Sequence, residues 1–281
     1  MTGFININKA EGVSSAREVA IIKRLTHCPC GHMGTLDPMA SGVLPIGIGN
    51  ACRLFDYFLD KHKVYSAKFK FGVDYDTLDI TGNCLSDGGR IPSAREIEDI
   101  LPLFTGKIMQ TPPRYSAKSI NGVRGYKLAR AGVEFEPAPK EVSIYSVKLL
   151  SCDGDEYSFE IKCGGGTYIR SLGRDIAAKL GTVAAMSSLV RLSSGVFTIE
   201  KSVRSAELDE RNIADYIIPT ESVLPFGSIY PKGADAKKLF NGIPVPADAE
   251  DGLYKIYNED GCFYGLGAVN GGSLKVRTKL C

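Results

Sequence analysis

Histidine is scarce in this chain: His27, His32 and His62 are the only three in 281 residues. Schemes that pair a Ser or Cys nucleophile with a His base therefore have few candidates. The signatures of several large enzyme classes are missing too. No G-x-x-x-x-G-K-[ST] is present, which excludes a P-loop. Gly164-Gly165-Gly166 has neither the G-x-G-x-x-G spacing nor the strand–helix setting of a dinucleotide fingerprint. G-x-S-x-G and H-E-x-x-H are absent as well. No apolar run reaches about 20 residues, so no membrane span is expected. Met1 to Asn6 lack a basic region followed by an apolar stretch, so no secretory signal is expected. Charge of one sign is also lacking: 34 Lys+Arg face 32 Asp+Glu, a net +2. A nucleic-acid partner would need the positive charge gathered on one face. If the chain is an enzyme, carboxylates, Tyr, Lys and Arg must carry the work.

What is present is the composition of an ordinary soluble globular protein, 44% hydrophobic and 23% charged. The length fits one large domain or one large and one small. Eight cysteines occur, and without a secretory signal they are expected as free thiols in a reducing compartment, the cytoplasm. Cys28-Pro29-Cys30-Gly31-His32 has C-x-C spacing and no second Cys/His pair, so a loop is expected there and no metal.

Along the chain, residues 4–8 read as a strand. Ser15 to Glu18 has the form of a capping box, Ser at the N-cap and Glu three later, opening a helix over about 16–26. Val43 to Ile48 is strand-like, and a helix over 50–60 would turn Leu54, Phe55, Phe58 and Leu59 inward. Residues 63–72 alternate, placing Tyr65, Ala67, Phe69 and Phe71 on the apolar face. Asp74 to Asp79 is an acidic loop. Ser93 to Glu96 is a second capping box, and a short basic helix is expected near 125–131. Residues 141–150 and 156–163 form a hairpin across Asp153-Gly154-Asp155. A helix follows Gly166 and stops at Gly181. Short strands near 187–192 and 195–199 and a helix near 205–212 complete this part. After a linker at about 225–233, the segments 253–257, 262–266 and 274–279 read as a small all-β module, with Lys275, Arg277 and Lys279 on one strand face. That face suits phosphate contact or a Lys-blunted edge equally. The class is α+β with mainly antiparallel pairing, divided as residues 1–225 and 226–281.

One segment concentrates the chemistry: Gly31-His32-Met33-Gly34-Thr35-Leu36-Asp37-Pro38-Met39-Ala40-Ser41-Gly42-Val43-Leu44-Pro45. A residue before Pro is pushed to an extended conformation, so Asp37 is presented from a stiff loop. Such a carboxylate suits a nucleophile, or simply a turn starter.

This segment resembles the G-H-x-G-x-L-D-P-x-A-[ST]-G-x-L-P signature of the bacterial tRNA pseudouridine-55 synthases of TruB type. Further motifs resemble theirs in the same order. Lys9 to Ser15 is similar to K-P-x-G-x-[ST]-S, with Ala10 in place of Pro. Lys63-Val64-Tyr65 matches K-x-Y. Asp76 to Gly82 is similar to D-T-x-D-x-x-G, preceded by Tyr75 where the family has Thr. Pro112 to Lys118 resembles P-P-x-[YF]-S-A-x-K, one residue short. Gly166 to Leu172 matches G-T-Y-I-R-[ST]-[IL], and Leu189 to Gly195 is similar to L-x-R-[LT]-x-x-G. These cover about residues 3–200, and the tail is similar to a small PUA-like module.

The resemblance implies a pseudouridine synthase catalytic domain and a C-terminal RNA-binding module. It implies isomerisation of uridine 55 in the TΨC loop of tRNA, with the nucleotide flipped from its stack. The reaction involves no redox change, so no cofactor is implied. Asp37 falls on the catalytic nucleophile, attacking at C1′ or C6. Tyr65 falls on the active-site tyrosine and Arg170 on the arginine that pairs with the Asp. His32 falls on the residue that fills the space left by the flipped base. Tyr168, Asp79, Lys9 and Leu192 are implied as further substrate-site residues. The expected partner is the TΨC stem-loop, with no membrane and no obligatory protein partner, and the expected state is a monomer. A binding-only RNA module, a guide-RNA-dependent relative and a paired-carboxylate glycosidase are the competing readings. The presence of Asp37, Tyr65 and Arg170, the compact tail and the lack of a second spaced acid weigh against them in turn.

Overall fold

The computed structural model describes residues 1–59, 61–116, 119–120, 122–125, 128, 131–133 and 135–281. Its larger part is a nine-stranded sheet: β1 (Gly3–Lys9), β2 (Cys30–His32), β3 (Ser41–Ile48), β4 (Lys63–Phe71), β5 (Gly106–Gln110), β6 (Lys140–Asp153), β7 (Glu156–Cys163), β8 (Ala184–Ser194) and β9 (Phe197–Thr198). The spatial order is β1-β3-β8-β4-β7-β6-β5, with β2 on β3 and β9 on β8. Every pairing is antiparallel except that of β3 with β8, which is parallel and short: Val190 faces Ser41 and Arg191 faces Gly42. The outer side of β1 is tied to much later chain, through Phe4 to Ile218 and Asn8 to Val203.

The alternation of β4 determines which side chains reach the core. Tyr65, Ala67, Phe69 and Phe71 all point inward and are nearly fully buried. Two helices pack near the site, α1 (Ser15–Thr26) and, after α2 (Phe55–Leu59) and α3 (Ala94–Ile100), α4 (Ile169–Lys179). Helix α4 buries Ile169, Leu172 and Ile176, each worth roughly 1.5–3 kcal/mol of apolar transfer. It approaches β4 closely because residue 173 is glycine: a Cβ there would sit 2.3 Å from the Phe69 ring.

The helix α1 begins one residue earlier than the spacing suggested. Ser14, in an extended conformation, is the N-cap and accepts from Arg17 N. Ser15 is thereby turned inward, where it bonds the Leu36 backbone. At 50–60 a tight 3-10 turn, Gly49–Leu54, precedes α2, and Leu54 and Phe58 are buried as the pattern required. The side chain of Leu59 and most of the helix expected at 125–131 lie outside the described residues. No α-helix forms at 205–212. The chain makes 3-10 turns at Ser205–Glu207 and Ile213–Tyr216, because the side chains of Asp209 and Asn212 accept from each other's backbone N–H instead.

The C-terminal residues form a five-stranded sheet of β10 (Gly227–Ile229), β11 (Val245–Pro246), β12 (Gly252–Tyr257), β13 (Phe263–Asn270) and β14 (Ser273–Lys279), in the order β10-β12-β13-β14-β11. One short helix, α5 (Gly233–Phe240), covers it with Ala236 and Leu239 buried. Lys275, Arg277 and Lys279 alternate outward to solvent along β14. All eight cysteines are free thiols. Among the described residues no helix is long and apolar enough to cross a membrane, and no group of three or more His, Cys, Asp or Glu is arranged to hold a metal ion.

Candidate active site

The loop between β2 and β3 carries Asp37 on the rim of a cleft of about 700 Å³. Its shape is fixed from several directions. Ser15 Oγ accepts from Leu36 N and donates to Leu36 O, both at 2.9 Å. Pro38 O accepts from Gly12 N at 2.8 Å and from Lys9 Nζ at 3.2 Å. Lys9 is fully buried and also donates to Ala10 O and Val13 O. Burial lowers its pKa to about 8, with the Glu18 and Asp37 carboxylates opposing the fall.

The carboxylate of Asp37 faces Arg170. Arg170 Nη2 lies 2.9 Å from Asp37 Oδ2, and Arg170 Nη1 lies 3.4 Å from Asp79 Oδ2. The guanidinium is 6% exposed and Asp79 6%, whereas Asp37 is 36% exposed. One carboxylate of the pair is therefore structural and the other is open to a ligand. Arg170 also donates from Nη1 to Thr77 O at 2.9 Å and from Nη2 to Tyr115 O at 3.1 Å, so each Nη serves one carboxylate and one backbone carbonyl. Asp79 in turn accepts from Thr77 Oγ1, Thr81 N and Thr81 Oγ1. The intervening Leu78 adopts φ 63°, a left-handed conformation unusual for a non-glycine residue, and is held there by bonds to Tyr75 and Met186 backbone.

Arg170 reaches this point because it lies in the first turn of α4 and that turn is clamped. Gln110, at the end of β5 and 1% exposed, donates from Nε2 to Tyr168 O and accepts from Tyr168 N at Oε1. Ser171 adds a bond to Thr111 O. A buried charge in a helix start is tolerable only with such satisfaction around it.

Of the eight residues singled out in the sequence, Asp37, Arg170, His32 and Asp79 line the cleft together. Tyr65 does not line it; it is 6% exposed, opposite Arg191 in the β4–β8 register. Burial raises its phenol pKa, and the Arg191 guanidinium pulls it back. Tyr168 is half-buried at the N-cap of α4, and burial raises its phenol too. Burial pushes the His32 imidazole down, which favours its neutral form. Lys9 supports the loop from behind without lining the cleft. Leu192 is half-buried and does not line the cleft; Leu189 and Arg191 turn toward Ala67 and Tyr65 on the same side of the sheet. Gln110, which clamps the first turn of α4, has no local signal in the sequence, and Arg191, buried opposite Tyr65, lies inside the motif Leu189 to Gly195.

Comparison with known proteins gives the family of the chain. Residues 23–169 match the family model described as "TruB family pseudouridylate synthase (N terminal domain)", and residues 232–278 match "Pseudouridine synthase II TruB, C-terminal". The chain is 40% identical over 288 residues to a protein of Clostridium novyi named tRNA pseudouridine synthase B, covering 100% of both chains. It is 38% identical over 275 residues to the protein of that name from Clostridium kluyveri, covering 95% of each. Among solved structures it resembles a chain of a Cbf5-Nop10-Gar1 complex at 25% identity and a TM-score of 0.74, covering 99% of this chain and 85% of that one. The fold and these matches are those of a pseudouridine synthase, an isomerase. The chain belongs to the TruB family.

Proposed function

We propose that this enzyme converts uridine 55 in the TΨC loop of tRNA to pseudouridine, with the target nucleotide flipped into the cleft and Asp37 as the nucleophile. The observation that carries the reading is the Asp37–Arg170 pair: a partly exposed carboxylate held 2.9 Å from a buried guanidinium in a family whose curated members are named for tRNA pseudouridine synthesis. The isomerisation breaks the N1–C1′ bond, forms a C5–C1′ bond, releases the C5 proton and leaves a proton on N1. No electron acceptor enters this balance. Arg170 keeps Asp37 ionised and aimed. Tyr65 packs beneath the turning base and assists loss of the C5 proton. His32 and Tyr168 shape the pocket around the extruded nucleotide, Asp79 and Lys9 hold the loops that bear Arg170 contacts and Asp37, and Leu192 lies on the strand behind Tyr65. Residues 1–225 act as the catalytic part and 226–281 as an RNA-binding module. The enzyme works as a cytoplasmic monomer without an obligatory protein partner; the relative from the Cbf5-Nop10-Gar1 complex is the longer chain.

The test is tritium release from C5-labelled uridine in an unmodified tRNA transcript, comparing wild type with Asp37→Asn. The expected result is release by the wild type alone, mapped to the TΨC loop, with tRNA still bound by the variant. Equal release by both would remove Asp37 as nucleophile, and wild-type binding without release would remove the assigned reaction.

A further inference from the structure

Arg191 heads the fully buried side chains by volume, at 1% exposed, and the chemistry above gives it no role. A buried guanidinium is expensive unless its donors are used. Here they are spent on main chain: Nε donates to Val43 O at 2.7 Å, Nη2 to Gly34 O at 3.1 Å and Nη1 reaches Thr35 O at 3.5 Å. No salt bridge to a carboxylate forms among the described residues. The three carbonyls share one property. Gly34 and Thr35 precede Asp37 and Val43 follows it, so the guanidinium spans both ends of the nucleophile loop.

The backbone of Arg191 works in the same place. It faces Gly42 in the short parallel pairing of β8 with β3. A Cβ at Gly42 would lie 2.4 Å from Arg191 O, and Gly42 sits at φ 97°, so only glycine lets the loop end pack this closely. On the other edge of β8, Arg191 faces Tyr65. One residue thus contacts the segment of Asp37 on one side and the strand of Tyr65 on the other.

We propose that Arg191 is a positioning residue that clasps the two ends of the Asp37 loop and fixes Asp37 and Tyr65 relative to each other. The inference rests on the reading of Asp37 and Tyr65 as the groups that act on the uridine. An Arg suits the task better than a Lys, because its planar fork of five donors spans three carbonyls that a single ammonium does not. Its charge acts on the phenol as well. The groups that bear on Tyr65 are Arg191 on β8, Cys163 on β7 and Asp37 on the loop, and Arg191 alone among them draws the phenol down.

The test uses the full chain with Arg191→Met and Arg191→Lys. It measures kcat and KM for C5 tritium release, Kd for tRNA, the pH dependence of kcat, and thermal unfolding. Displacement of reacting groups by about 1 Å costs on the order of 100-fold in rate. Arg191→Met is therefore expected to lower kcat by about 100-fold while Kd stays within about threefold, and to move the pH profile upward. Arg191→Lys is expected to return the pH profile and to recover only part of kcat. A kcat within about threefold of wild type in folded Arg191→Met would overturn the proposal. So would a loss shared equally by kcat and Kd with an unmoved pH profile. If Arg191→Met fails to fold, Arg191→Lys decides, since wild-type kcat in that folded variant is equally fatal. Asp37→Asn separates the two readings. If it turns over normally, the assigned chemistry fails; if it is dead and Arg191→Met is fully active, only the role of Arg191 fails.

Discussion

Arg170 Nη2 stands 2.9 Å from Asp37 Oδ2 while Nη1 of the same guanidinium stands 3.4 Å from Asp79 Oδ2. One cation is shared between an open carboxylate and a closed one. Replacing it by Met strands Asp79 in a buried site with its counter-charge gone. Removing one partner of a buried pair costs about 3–5 kcal/mol. Arg170→Met is expected to melt well below wild type and to be inactive. Arg170→Lys is expected to keep much of the stability, because the charge remains, but to lose activity, because one ammonium does not replace a fork that spans Asp37, Asp79 and two carbonyls. Calorimetry and tritium release on the two variants check this; an active Arg170→Met would refute it.

Lys9 provides a pH test. Its folded pKa, about 8, lies below the ordinary 10.5 of a free lysine. Between these values the unfolded chain binds more protons at this site, so stability rises with pH through that window. Below about pH 8 the buried ammonium is a cost that the fold carries. Lys9→Met removes this site from the titration. Denaturant unfolding at pH 7, 8.5 and 10 is expected to show the Lys9-linked rise in wild type and to lack it in the variant. Parallel curves for the two proteins would contradict the assignment.

Gly173 tests the packing of α4. In an exposed helix interior Gly→Ala gains about 1 kcal/mol. Here the added methyl would meet the Phe69 ring at 2.3 Å, and overpacking a full core costs typically about 1–3 kcal/mol. Steric cost outweighs propensity, so Gly173→Ala is expected to lower the melting temperature. Because α4 carries Arg170, activity should fall as well. A variant more stable than wild type would show that Phe69 has room to move.

The outward row of Lys275, Arg277 and Lys279 on β14 offers a test of whether this face contacts tRNA. Each phosphate contact contributes about 0.7–0.9 to the slope of log affinity against log salt. Replacing all three by Gln is expected to lower that slope by about 2–3 and to leave kcat at saturating tRNA unchanged. An unchanged slope in filter-binding titrations would assign the row to edge protection alone.

Much of this molecule could be read in the sequence where one local rule governs. The period of two in β4 put Tyr65 on the correct face, and the capping box at Ser93 is present with both of its bonds. Reading failed where two neighbours compete for one role or where the cause is distant. Ser14 and Ser15 are equally good caps by type, and the choice between them was made by Leu36, which takes Ser15 for itself. The polar run at 205–212 turned into 3-10 segments because the side chains of Asp209 and Asn212 satisfied each other's backbone. Gln110 grips Tyr168 from 58 residues away, and no pattern near residue 110 announces it. The Asp37 loop was visible as a motif, but the two arginines that hold it come from α4 and β8, far along the chain.

The tie between the first strand and the late chain has a consequence for how the protein is made. Phe4 bonds Ile218, and Asn8 bonds Val203, so the outer edge of β1 has no partner until more than 200 residues have left the ribosome. Asp37 is synthesised early, yet Arg170 and Arg191 follow it by well over 100 positions. A nascent chain therefore carries Asp37 for most of translation without the two arginines that contact it and its loop, and its leading strand stays open at one edge. Contacts of such long range fold slowly. The outer edge of β1 is thus closed late, when the segment beyond β8 returns to the beginning of the chain.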